Sequence, residues 1–212
     1  SSNIPLLFVP SDTNLRAKTK TLTVIIKDGL VALKNPLLSQ LFLILAVYGG
    51  FFFSTKSIIG SFADLYNFDL KLIGLFVGMS ALSRAVGSKL YAHYQGVSKF
   101  YALIILAATI FTMALTPVYG IIAAIIVFHF ATGYLLAIID GDIHELSEDH
   151  IRSSLFSLRR LTMRLFSSGY LLIYGLFIAR SQFSLLMTLL GVMMVATILV
   201  TRRYSTPLKL PT

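Results

Sequence analysis

The residues equipped for chemistry stand in two groups. One is a run of carboxylates, Asp140, Asp142, Glu145, Glu148 and Asp149, followed by Arg152, Arg159, Arg160 and Arg164, with Arg84 apart upstream. Arg160 and Arg164 are i,i+4 neighbours, so a helix presents them on one face. The other group centres on His129, the ionisable side chain nearest the middle of a long apolar run. Thr132, Gly133, Leu136 and Asp140 continue its face at helical steps. An imidazole there, with a reference pKa of about 6.5, can bind a ligand or relay a proton. It can equally stay neutral and hydrogen-bonded to a neighbouring helix, and both readings stand. Tyr48, Phe52 and Thr55 share a face of an earlier apolar run beside Gly49-Gly50, where the backbone can bend. Such a face suits an amphipathic or planar ligand, or simple packing.

Enzyme signatures fail on spacing. His144-Glu145 and His150 place the two histidines six apart, whereas a zinc-protease helix needs them four apart. Phe166-Ser-Ser168-Gly169 lacks the first glycine of an intramembrane serine-protease motif, and no histidine follows His150. The chain has no cysteine, which excludes thiol catalysis and thiolate-held metal. The expectation is a non-enzyme without cofactor or metal.

The elements that must position these groups are membrane-length helices. Mean hydropathy is +0.82, with 56% hydrophobic and 13% charged residues. A bilayer span takes about 20 apolar residues, and six stretches qualify: 37–55, 72–92, 100–117, 118–139, 153–179 and 181–201. The first is expected to continue toward Leu65, and 140–152 to form the longest inner loop. With a cytoplasmic start, fifteen of the eighteen basic residues lie in or near the cytoplasm, as the positive-inside rule requires. The net charge of +9 is then largely topological, and nucleic acid is not an expected partner. Residues 1–20 read as a cytoplasmic linker, 21–35 as an amphipathic helix on the inner surface, 36–204 as the transmembrane bundle and 205–212 as a cytoplasmic tail. Asn35-Pro36 marks the start of the first span. The chain begins Ser1-Ser2 and reads as a piece of something longer.

Three segments carry a family resemblance. They are Asn35-Pro36-Leu37, the stretch Phe68-Asp-Leu-Lys-Leu-Ile-Gly74, and the acidic run from Asp140 into Arg152-Ser153-Ser154 with Ser157-Leu158. With them the chain resembles the C-terminal half of a major facilitator superfamily transporter. Residues 87–99 keep the glycines and bases of the family's inner-loop signature but lack its acid. The resemblance implies an all-α integral membrane fold, six transmembrane helices as two inverted three-helix repeats, with both termini cytoplasmic. It implies a multi-pass protein of a plasma or inner membrane, with membrane lipids, an N-terminal six-helix half and a small-molecule substrate as partners. Spans one and four would line the cavity with Tyr48, Phe52, Thr55, His129 and Thr132, where substrate binds or protons pass. Spans two and five would flank it against the other half, using Gly74, Gly78, Ala81, Ala85 and Ser88, and spans three and six would face lipid. Arg84, Asp140, Glu145, Arg152, Arg159, Arg160 and Arg164 would form an inner gate of exchanging ion pairs. The implied function is secondary active transport of a small solute by alternating access, with proton coupling open. A self-contained six-helix binding subunit of a multi-component importer and a non-transporting scaffold are the alternatives.

Overall fold

Asn35-Pro36 does what its chemistry allows. The Asn35 side chain accepts a hydrogen bond from the Leu37 amide at 2.9 Å, and Pro36 takes the first helical position, where its missing N–H costs nothing. In the computed structural model, which describes residues 22–65, 69–93, 98–116, 118–180 and 182–204, this cap separates α1 (Leu22–Ala32) from α2 (Pro36–Ile44). Asn35→Ala is expected to destabilise the fold by about 1 kcal/mol, read as a lowered unfolding midpoint in detergent.

From α2 the chain passes through a π-helical turn, Leu45–Gly49, directly into α3 (Gly50–Leu65). The first span therefore does reach Leu65 as one continuous helix. It is followed by α4 (Leu70–His93), α5 (Lys99–Leu115), α6 (Val118–Leu146), α7 (Asp149–Ile178) and α8 (Phe183–Tyr204). All elements among the described residues are helical. Four stretches are long and apolar enough to cross a membrane: Pro36–Thr55, Gly120–Leu146, Ile151–Ile178 and Phe183–Arg203. At 17 residues α5 is shorter, and α4, though 24 residues long, carries Arg84 and Lys89. The linker 1–20, the tail 205–212, the turns at Asn67, Gly96, Pro117 and Ser181, and the side chain of Lys56 lie outside the described residues.

The expected loop over 140–152 is a correction. Helix α6 runs on to Leu146, and only Ser147 and Glu148 separate it from α7. Ile139 and Ile143 are completely buried, so the apolar stripe that begins at Leu135 continues straight through the acidic run. Asp140 and Asp142 project sideways and are held there by basic partners. Asp142 pairs with Lys99 of α5 at 2.9 Å. Arg152 closes the junction by reaching the His144 and Ser147 carbonyls at 3.4 and 3.3 Å, where the last carbonyls of α6 need donors.

The helices pair in a crossed pattern. The α2–α3 helix packs on α7, α4 packs on α6, and α5 packs on both α6 and α8. Close approach at the α4–α6 crossing depends on two glycines, Gly87 against the Phe130 carbonyl and Gly133 against that of Arg84. The Ser83 hydroxyl adds a hydrogen bond to the Ile126 carbonyl at 2.8 Å. Gly74 and Gly78, on the small-residue stripe of α4, meet nothing within 4 Å, and Ala81, Ala85 and Ser88 on that stripe are exposed. Helix α1 is present as expected, yet it docks on α7, with Gly29 against Leu158 and Leu30 and Val31 left outward.

Candidate functional site

Where α3, α4, α6 and α7 diverge, they leave a cleft of about 240 Å³. Four arginines line it, Arg84 from α4 and Arg159, Arg160 and Arg164 from α7, with Phe52, Phe53, Leu136 and Met163 as its apolar wall. The helical repeat explains the grouping on α7, because residues 160 and 164 stack on one face and 159 lies beside them. Arg84 is held differently: its guanidinium sits over the Phe52 ring, 5.4 Å from the centroid, a stacking that orients the cation without neutralising it. Phe53, 42% exposed, meets Phe52 edge-on at 5.6 Å.

Charge in the cleft is unbalanced. Arg159 forms an ion pair with Asp140, Nε to Oδ1 at 3.1 Å, although the two atoms are not aligned for a hydrogen bond. The same carboxylate lies within the field of Arg160. Among the described residues, Arg84, Arg160 and Arg164 have no ion-pair partner. Among the described residues, Asp140 thus meets Arg159 and acts on Arg160, and no carboxylate pairs with Arg84 or Arg164.

The expected gate is therefore only partly assembled. Asp140 and Arg159 meet, but Arg152 pairs with Asp149 at 2.7 Å and staples the α6–α7 junction instead of reaching the cleft. Glu145 is exposed and is in none of these pairs. The partner of Asp142, Lys99, escaped the sequence reading, and the only signal that could have found it is that both stand at helix ends.

The residues expected on a substrate face lie elsewhere. Tyr48 and Thr132 are 1% exposed, Thr55 2%, and His129 and Phe52 5% each, so all five are packed inside the bundle. Tyr48 donates to the Met194 carbonyl of α8 at 2.9 Å. The His129 ring holds the Ile125 carbonyl through Nδ1 at 2.9 Å, which requires the proton on that nitrogen. Its Nε2 then faces the Thr55 hydroxyl at 3.5 Å, and Thr55 donates to the Phe52 carbonyl at 2.6 Å. These contacts describe a histidine bonded into the bundle behind Phe52, whose ring it meets edge-on at 5.5 Å. The Thr132 hydroxyl lacks a hydrogen-bond partner among the described residues. Only Phe52 reaches the cleft.

The π-helical turn lies one helical turn from that wall. Gly49 and Gly50 bring it against Met163 and Phe166 of α7, and the Tyr170 hydroxyl donates to the Val47 carbonyl at 3.1 Å. A widened turn satisfies its own carbonyls poorly, so an outside donor matters more here than in a regular helix. Beyond it, Ser54 and Ser167 meet hydroxyl to hydroxyl at 3.0 Å. Tyr170→Phe is expected to cost about 1 kcal/mol and to weaken the hold of α7 on the turn, checked by the unfolding midpoint in detergent.

A larger groove of about 370 Å³ between Leu90, Tyr101 and Phe130 is almost wholly apolar and offers nothing to orient a polar ligand. No family model matches the sequence, and neither a curated protein nor a solved structure matches it.

Proposed function

We propose that this chain is a six-helix half of a secondary active transporter, moving a small solute across a membrane by alternating access. The observation that carries the reading is the arginine-lined cleft, which is open on the side where α4 and α7 present long uncovered faces. Leu72, Leu75, Leu82 and Val86 of α4, and Leu161, Leu165, Leu172 and Leu176 of α7, are exposed. Faces of that length need an apolar cover, and a second half-bundle across the cleft supplies one that closes on them at one end and opens them to water at the other as the halves rock, while enclosing the charged wall. The crossed pairing of helices supports two inverted three-helix repeats. Spans one and four each pack on the second helix of the other set, and the third helices of the two sets pack together, as a pseudo-two-fold relation demands.

In this reading the α2–α3 helix, α4, α5, α6, α7 and α8 are the six spans, and the distribution of basic residues puts both ends of the bundle in the cytoplasm. The Asp140–Arg159 pair is the gate element, made in the state described and broken as the halves rock. The outward sides of α5 and α8, with Ile104, Leu189, Val192 and Leu199, face lipid.

Reconstitution of the full-length gene product in liposomes tests the proposal. The expected result is saturable, solute-dependent counterflow for at least one member of a broad panel of labelled anions, cations and neutral solutes. A protein that binds a solute in detergent but shows no flux with any gradient imposed fits the importer-subunit alternative and overturns the transporter reading.

A further inference from the structure

We infer that the cleft is a binding site for a small organic anion, a carboxylate or phosph(on)ate attached to an apolar or aromatic body. The inference rests on the transporter reading and supplies its substrate class. Two observations carry it, joined by one physical argument. Arg84, Arg160 and Arg164 converge on one cleft and, among the described residues, are not neutralised. Cations set into apolar helices are costly unless something compensates them, and walls of low dielectric concentrate the field of like charges on whatever enters. Finally, the charged groups share the cleft with the exposed ring of Phe53, backed by the buried Phe52, so a ligand with one anionic end and one flat apolar end meets matching surfaces.

The guanidinium group fits this role better than an ammonium would. Its planar fork takes two oxygens of a carboxylate or phosphonate at once. Arg84 is already oriented by the Phe52 ring, so little freedom remains to be lost on binding. Arg159 is occupied with Asp140 and acts beside the site as the link to the gate. A volume of about 240 Å³ lies just below the ~300–1,000 Å³ range of ligand pockets, which matches a single-ring anion. Like charges facing one another resist closure of the empty cleft. An anion removes that resistance, which ties closure to occupancy.

The test uses the full-length protein purified in a neutral detergent, with phenylphosphonate and inorganic phosphate as probes followed by titration calorimetry. Phenylphosphonate is expected to bind saturably and more tightly than phosphate, while its neutral counterpart benzyl alcohol does not bind. Arg84→Gln, Arg160→Gln and Arg164→Gln should each weaken phenylphosphonate about tenfold or more. Arg164→Lys, which keeps the charge and loses the fork, should fall between. Arg203→Gln, in the last turn of α8, should change nothing. Unfolding midpoints taken alongside verify that each variant is folded, and a collapsed variant is replaced by its lysine counterpart. Native mass spectrometry of the protein as purified separates the two sources of such an anion. Phosphatidylglycerol that stays bound and is not displaced by phenylphosphonate would make this a lipid site and overturn the inference, as would failure of both probes to bind. Phenylphosphonate binding with no flux in liposomes keeps the site and removes the transporter reading. Flux of a neutral solute untouched by Arg84→Gln and Arg160→Gln does the reverse.

Discussion

Gly133→Leu is expected to leave no folded, monodisperse protein, and Gly133→Ala to cost about 3 kcal/mol, the upper end of the usual overpacking range. A Cβ on residue 133 would lie 2.1 Å from the Arg84 carbonyl oxygen and 2.9 Å from its carbon. Backbone cannot fold out of the way as a side-chain tip can. The reciprocal contact, Gly87 with the Phe130 carbonyl at 2.1 Å, means that α4 and α6 touch backbone to backbone at two levels. Forcing them apart also stretches the bond from Ser83 to the Ile126 carbonyl. It moves Arg84 away from Phe52 too, so the cleft loses one wall with the crossing. Gly60→Ala on α3, away from the α4–α6 crossing and from the small-residue stripe of α4, is the control. Nothing lies within 4 Å of it, and alanine's better helix propensity makes that change neutral or slightly stabilising. Size-exclusion elution and unfolding midpoints in one detergent decide the matter, and a Gly133→Leu protein that elutes and melts like the parent contradicts the packing described.

The second large effect belongs to the Asp140–Arg159 pair. Removing one partner of a buried pair costs about 3–5 kcal/mol because a charge is left uncompensated. Here Arg159 is 14% exposed but Asp140 is 40% exposed, so water takes up part of the loss. Asp140→Asn is accordingly expected to destabilise by about 1–3 kcal/mol and to impair transport. It also adds a fourth unpaired guanidinium to the cleft. Exchange of the two charges, Asp140→Arg with Arg159→Asp, should recover much of both losses, with a coupling of about 1–2 kcal/mol in the double-mutant cycle. Single variants that add without coupling would show that the pair contributes nothing beyond its parts.

Much of the helical frame was legible because its signals are local. Asn35-Pro36 is a start signal whatever surrounds it, and the lack of any strong breaker but Gly60 after Lys56 foretold one long first helix. The end of α6 was misread because Asp140, Gly141 and Asp142 are individually poor helix formers. What keeps the chain helical there is tertiary, namely burial of Ile139 and Ile143 and the sideways ion pairs to Lys99 and Arg159. The spacing Leu135, Ile139, Ile143, Leu146 carried the correct answer and was outweighed by composition.

The site was legible by residue type and not by direction. Arginines in apolar helices announced themselves, but their shared cleft depends on where α4 and α7 diverge, which no spacing encodes. For Tyr48, Thr55, His129 and Thr132 the difficulty is specific to apolar helices. A packing face and a cavity face of such a helix carry the same mixture of aromatics and hydroxyls, so periodicity finds the face and cannot name what it meets. The π-helical turn left only Gly49-Gly50 as a trace.

The central proposal, that the faces of α4 and α7 beside the arginine cleft border a cavity opened alternately to each side, is tested most directly by thiol accessibility. The chain contains no cysteine, so single substitutions read cleanly once any cysteines elsewhere in the full-length protein are removed. Leu82→Cys on α4 and Leu165→Cys on α7, at positions 66% and 67% exposed, are compared with Leu189→Cys and Leu199→Cys on α8. In liposomes, a membrane-impermeant maleimide is expected to label the α4 and α7 positions, at rates that a saturating transported anion changes severalfold. The α8 positions should stay slow throughout. Equal, slow, ligand-insensitive labelling at all four would place α4 and α7 against lipid and contradict the account.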